Sequence, residues 1–314
     1  MKRALSLVLT VCMLLSTVVF ALPVSAANAV TEATVGRTFT ADDAVIMDGT
    51  LDKVPHTYEA WIKVPATGAT GNIISNTIKE KWGGTNAPRM RLFIDENGAP
   101  NLEWYDEIKT LYEVDFDTVN VNTGAWTHLA IVQEADNTFS CYVNGTRYTT
   151  SYLYYTKYKE GTTDPIYTSF NSSFSYPEID KEVFDMPLVI GGSNERSNPL
   201  PFTGEIAGVT MYADARTAAE VAADMQSINA SDADLLASYD LTKDSVNGVY
   251  KNAKSGGIDL IDGKQWLTET EMEAVRAQRF DGEFERAYSL VVVGDTQMTT
   301  RAAPDKLPVL YNWI

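Results

Sequence analysis

Few residues in this 314-residue sequence are of types that make or break bonds. It has two histidines, His56 and His128, and two cysteines, Cys12 and Cys141. No serine, histidine and aspartate surround a nucleophile elbow, no Cys/His group has metal-ligand spacing, and no glycine loop is built to cradle phosphate. No Glu-x-Asp-x-Glu strand supplies the carboxylate pair of a glycoside hydrolase. Oxygen donors and aromatic rings remain. Asp42, Asp43 and Asp48 crowd the first strand, and Asn194 and Glu195 follow Gly191-Gly192. Such groups suit calcium, which takes about six to eight oxygen ligands, although acidic loops are commonly just solvated. Between Tyr148 and Tyr176 the chain is rich in aromatics, among them Tyr152, Tyr154, Tyr155 and Tyr158, which either stack on sugar faces or pack on one another. Near the C-terminus, SLVVVGDTQ (Ser289 to Gln297) ends an apolar run at Gly294 and Asp295. The carboxyl end of a parallel strand is where an aspartate faces a ligand crevice.

The elements that position these residues begin after a leader. MKRALSLVLTVCMLLSTVVFALPVSA has a basic start, an apolar run and the small-residue site Val24-Ser25-Ala26, the three parts of a secretory signal over residues 1–26. An uncleaved N-terminal anchor is the alternative, and Pro23 with the A-x-A-like site favours cleavage. Removal of Lys2 and Arg3 takes the formal net charge from −17 to −19. So acidic a chain is repelled by nucleic acid and by anionic lipid. The expectation is a secreted, extracellular protein with no nucleic-acid partner and no membrane association after cleavage. Cys12 leaves with the signal, so Cys141 has no partner and reads as a small buried thiol.

From Val35 to about Ile261 the pattern is strand and turn. HTYEAWIKVP places Tyr58, Ala60 and Ile62 on one face and Thr57, Glu59, Trp61 and Lys63 on the other. Turns are expected at Glu96-Asn97-Gly98, at Glu134–Asn137 and at Asn144-Gly145. Many short strands with few helical periods predict an all-β, antiparallel sandwich. A short helix is expected at Thr217–Met225, capped just before it, with Val221 and Met225 on one side. Beyond Asp262 the sequence turns charged, with a Thr268/Glu271 capping box in a partly helical linker, 263–286. Residues 287–314 then read as strand, glycine loop and helix, a short α/β fragment.

GAWTHLAIVQEADNTFSCYVNGTRY (Gly124 to Tyr148) resembles the central hairpin of laminin-G-like, concanavalin A-like jelly-roll domains. YEAWIKV, PLVIGG and FTGEIAGVTMYADARTAAEVAADM extend the resemblance in the family's order, over residues 35–262. In this reading Trp126, Leu129, Ile131, Tyr142 and Val143 fill the core, and His128 is a packed, hydrogen-bonded core histidine. Leu235–Ile261 resembles the segment that usually opens such domains, and either completes the same sandwich or forms a second small β element. The resemblance implies a binding module for a carbohydrate or an extracellular surface, with calcium or glycan at a rim; Asp42, Asp43, Asp48, Asn194, Glu195 and the tyrosines are the candidates. SLVVVGDTQ resembles the first strand and metal motif of calcineurin-like metallophosphoesterases. That likeness implies that Asp295 is a ligand of a divalent metal, with Gln297 in place of the usual histidine. The family's remaining ligands, several of them histidines, are missing from the 19 residues after Asp295. This chain by itself is therefore expected to be inactive, and a full-length parent would be the phosphoester hydrolase.

Overall fold

Alternating apolar and polar side chains give strands two unlike faces, and two sheets that each bury one face make a sandwich. The computed structural model describes residues 35–40, 43–68, 70–76, 90–105, 110–149, 152–158, 165–170, 176–184, 187–193 and 200–263. All of them fall in the first of two compact units, Met1–Val275 and Arg276–Ile314. The leader and residues 264–314 lie outside the described residues.

In chain order the strands are β1 (Arg37–Thr38), β2 (Ala44–Met47), β3 (Thr57–Lys63), β4 (Gly71–Ser75), β5 (Met90–Ile94), β6 (Pro100–Tyr105), β7 (Thr110–Asp115), β8 (Trp126–Gln133) and β9 (Phe139–Val143). They continue as β10 (Thr146–Thr149), β11 (Tyr152–Tyr158), β12 (Pro165–Phe170), β13 (Val189–Ile190), β14 (Glu205–Tyr212), β15 (Leu235–Asp240), β16 (Val249–Tyr250) and β17 (Leu260–Gly263). One α-helix, α1 (Ala218–Asp224), follows β14. Among the described residues, seven strands form one sheet in the order β1-β14-β3-β8-β9-β10, with β15 also on β14. Ten form the other, β12-β11-β7-β6-β5-β4-β13-β2-β17-β16. Every pairing is antiparallel. The fold is the antiparallel β-sandwich expected from the strand pattern.

Between the sheets lie Tyr58, Ile62, Leu92, Leu102, Trp104, Val114, Leu129, Ile131 and Phe139, all essentially without solvent contact. Trp104, Phe139 and Tyr176 meet ring to ring, the Phe139–Tyr176 pair edge-on at 4.9 Å. Asn144 and Gly145 take positive φ values of 49° and 78°, which the tight β9–β10 turn requires. Asn144 Oδ1 then accepts a 2.9 Å hydrogen bond from the His128 backbone, fastening the turn to β8.

Some sequence expectations shift. The helix is capped by Thr217 itself, in a reciprocal box with Glu220. Leu129 and Ile131 enter the main core as expected, but Trp126 and Tyr142 do not. They share strands with core residues at the opposite parity, so the pleat turns them outward; Tyr142 packs there with Ala130, Val132 and Val221 under the helix. Leu235–Ile261 contributes to both sheets of the sandwich, β15 pairing with β14 and β17 with β2.

Candidate functional site

The outward face of the ten-stranded sheet carries polar and aromatic side chains, of which Asn72, Asn101 and Glu103 are buried and Arg91, Phe93, Glu113 and Asp115 half-buried. Register builds it. Asn72 pairs with Phe93, Phe93 with Asn101, and Asn101 with Asp115, one row across β4, β5, β6 and β7. A second row runs Arg91, Glu103, Glu113. A register shift between Asn72 and Ile74 keeps Asn72 on the outward face while Ile73 and Ile74 both reach the core.

Arg91 and Glu103 form a two-pronged pair, Nε to Oε2 at 2.5 Å and Nη2 to Oε1 at 2.6 Å. The guanidinium lies 4.0 Å from the centre of the Phe93 ring. Two planar groups are thus stacked on the sheet. A groove of about 410 Å³ adjoins them, lined among others by Gly71, Asn72, Arg91, Phe93 and Asp95. Asn72 is 1% exposed at its floor, and neither its amide oxygen nor its amide nitrogen has a hydrogen-bond partner. Two unsatisfied polar atoms at that depth cost free energy until a ligand or water meets them.

Among the described residues, charge on this face is unbalanced. Burial and the carboxylate of Glu103 directly opposite raise the Glu113 carboxyl to about 7, with Arg91 opposing the shift. Asp115 is raised to about 6 by burial, then by Asp117 and Asp95. Asp115 Oδ1 has no hydrogen-bond partner either.

The outward face of the seven-stranded sheet holds a second, smaller cavity of about 180 Å³, lined by Glu59, Trp61, His128, Thr210, Asp224 and Asn252, with others. His128 Nε2 lies 3.3 Å from Glu59 Oε2, and both side chains are 2% exposed. His128 is buried as expected, but outside the inter-sheet core, and its Nδ1 has no hydrogen-bond partner. Burial raises the Glu59 carboxyl above its ordinary range, and the histidine partly opposes that.

Those of the residues singled out in the sequence that are described are not gathered into one site. Asp43 accepts from Arg37 Nη2 at 2.5 Å, a guanidinium also held by Asp262 and Tyr250. Asp43 and Asp48 flank the four-residue β2, about 15 Å apart along an extended chain. Asp42, Asn194, Glu195, Asp295 and Gln297 lie outside the described residues. Among the described residues no three His, Cys, Asp or Glu side chains are grouped to hold a metal. Tyr152, Tyr154, Tyr155 and Tyr158 all belong to β11, in the ten-stranded sheet, where Tyr152 pairs with Asp115 and Tyr154 with Glu113. Sequence reading did not single out Asn72, Arg91, Phe93, Glu103 or Glu113. A signal existed: in RMRLFI and PNLEWY, Arg91, Phe93, Asn101 and Glu103 alternate with the core residues Met90, Leu92, Ile94, Leu102 and Trp104, so the second face was written into two neighbouring strands.

Residues 39–176 match a family model, Laminin_G_3, described as the concanavalin A-like lectin/glucanases superfamily. The match ends before β14 and α1, which carry the closing motif. No curated protein matches the sequence. Among solved structures, the chain is similar to a candidate carbohydrate-binding protein from Bacteroides ovatus, with 22% identity and a TM-score of 0.45 over 72% of this chain. It covers 58% of that protein's length. A heptameric SAP-like pentraxin from Limulus polyphemus is 15% identical with a TM-score of 0.38, covering 71% of this chain and 89% of the pentraxin. The CBM40 of the Ruminococcus gnavus IT-sialidase, bound to α2,6-sialyllactose, is 15% identical with a TM-score of 0.37, covering 63% of this chain and all of that one.

Proposed function

We propose that this chain is a carbohydrate-binding module and that glycan lies along the outward face of the ten-stranded sheet. The observation that carries this is the groove beside the Arg91–Phe93 stack, floored by an asparagine with both amide atoms unmatched. Sugars present flat C–H faces and paired hydroxyls that both donate and accept. Planar stacks suit the first, and buried amides and carboxylates the second. The match to a lectin/glucanase family model supports the same reading.

Screening the purified protein on a glycan array tests it, followed by calorimetry on any hit. Phe93→Ala should weaken binding about tenfold, roughly 1.4 kcal/mol, with the fold retained by circular dichroism. An array with no hit, or a Phe93→Ala variant that binds as well as wild type, would overturn the proposal.

The basic, apolar and A-x-A-like parts of residues 1–26 support an exported protein acting outside the cell. Amino-terminal sequencing of the secreted product should find Ala27 first. The metallophosphoesterase parent rests on SLVVVGDTQ alone; an open frame beyond codon 314 with further Asp, Asn and His motifs would support it, and its absence would end it. Calcium at Asp42, Asp43, Asn194 and Glu195, without Asp48, which stands too far from Asp43 to share one ion, is a separate proposal. Millimolar calcium should then raise the melting temperature, and an unchanged melting curve removes it.

A further inference from the structure

We propose that the ten-stranded face selects a glycan carrying a free, protonated amine, an unacetylated amino sugar, over acetylated, neutral or acidic sugars. This rests on the carbohydrate-binding reading above and names the ligand class for that same face.

The argument starts from Arg91. Its guanidinium is the cation of the two rows, and Glu103 already holds it through two hydrogen bonds. Its charge is therefore largely matched by Glu103, and the carboxylate of an acidic sugar would have to compete with that pair. Against it stand four carboxylates: Glu103, Glu113 directly opposite Glu103, Asp115 at the end of the neighbouring row, and Asp95 at the β5–β6 turn. Asp95 Oδ1 is occupied by the backbone N–H groups of Asn97 and Ala99. Glu113 and Asp115 are half-buried, and the guanidinium that opposes Glu113's shift is bound to Glu103. On these strands, like charges placed directly opposite destabilise each other.

An ammonium repairs this deficit. It supplies the missing countercharge and up to three N–H donors, where an acetamido group supplies one donor and no charge. Independent of the carboxylates, Asn72 offers an unmatched carbonyl oxygen and amide nitrogen in the adjoining groove, suited to ring hydroxyls. A sialic acid meets the opposite situation: its carboxylate enters a field of like charge on a chain that is already strongly acidic.

Protonation gives a second handle. Glu113 titrates at about 7 and Asp115 at about 6 in the free protein. The groups facing them are Glu103, Arg91 and Asp115 for Glu113, and Asp117 and Asp95 for Asp115, with β11 pairing on the far side through Tyr152 and Tyr154. Lowering the pH neutralises both carboxyls while it charges a sugar amine more fully, so binding lost on acidification reports the carboxylates.

The experiment is calorimetry of the full chain with three probes: a chitosan hexasaccharide, the fully acetylated chitin hexasaccharide, and α2,6-sialyllactose. At neutral pH the chitosan oligomer should bind about tenfold or more tighter than chitin, and sialyllactose should not bind. Glu113→Gln and Asp115→Asn should each cost the chitosan oligomer about fivefold to tenfold, and cost chitin less. Acidification to about pH 5 should weaken binding by the wild type, as those variants do, and cause no further loss in the double variant. Asp136→Asn, at the remote β8–β9 turn, controls for attraction between any polycation and an acidic protein, and should bind chitosan as wild type does. Equal binding of chitosan and chitin, binding of sialyllactose, or an equal loss in Asp136→Asn would overturn the amine inference while leaving a carbohydrate module standing. A blank result with all three probes and across a glycan array would instead bring down the reading beneath it.

Discussion

Glu59 and His128 show how a single buried residue ties stability to pH. The carboxyl is raised above its ordinary range, chiefly by burial, with His128 3.3 Å away pulling the other way. In the unfolded chain it ionises in the ordinary carboxylate range. Between that range and the raised folded value the native state holds the extra proton. The contribution is therefore fully present at acid pH and is lost as pH rises through the folded value. Glutamine at this position cannot ionise. Urea midpoints of Glu59→Gln should accordingly gain on wild type between about pH 4 and pH 8. A difference that stays constant across that range would mean Glu59 keeps the same protonation in both states. The same sign applies to Glu113 and Asp115, whose windows close near 7 and 6.

At the scale of the element, α1 depends on what surrounds it. Seven residues are too few for a helix to hold itself together in water. Thr217 and Glu220 close its first turn, and Val221 anchors it on Ala130, Val132 and Tyr142. Arg216, 6% exposed, then binds Asp224 at the helix end through Nη2 at 2.9 Å and Asp232 through Nη1 at 3.0 Å, while stacking 4.0 Å from the Tyr212 ring. Removing the guanidinium leaves Asp224 buried and uncompensated. Arg216→Ala should cost about 3–5 kcal/mol in chemical denaturation, whereas Thr217→Ala should cost about 0.5–2. Equal costs for the two would refute the idea that the ion pairs, more than the cap, dock this helix.

At the scale of the molecule, the sandwich is closed by strands from both ends of the described chain. β1 pairs with β14, and β17 pairs with β2, while Arg37 links β1 to Tyr250, Asp43 and Asp262. A chain ending at Met225 lacks β15, β16 and β17, baring one side of β14 and of β2. It should lose the cooperative unfolding transition of the full protein, and limited proteolysis of the full protein should leave a fragment reaching Gly263 or beyond. A stable fragment ending near Met225 would show that the later strands are dispensable.

Much of this architecture was legible in the sequence because strand period and turn chemistry are local. The alternation in HTYEAWIKVP sorted Tyr58, Ala60 and Ile62 to the core and Glu59 and Trp61 outward, and Asn144-Gly145 marked a turn that only positive φ can make. Local pattern failed where parity had to be counted across a hairpin. Trp126 and Tyr142 looked like core by size and were sent outward by the pleat. The proposed binding face was harder still. Asn72, Phe93, Asn101 and Asp115 are 43 positions apart from first to last, yet they form one row because each antiparallel register sets a residue beside its neighbour on the next strand. By itself the sequence determined that there would be strands, turns and a sandwich. Tertiary structure decided which polar side chains share a face and which charges stand unmatched, because in antiparallel sheets those neighbours are set by non-local pairing.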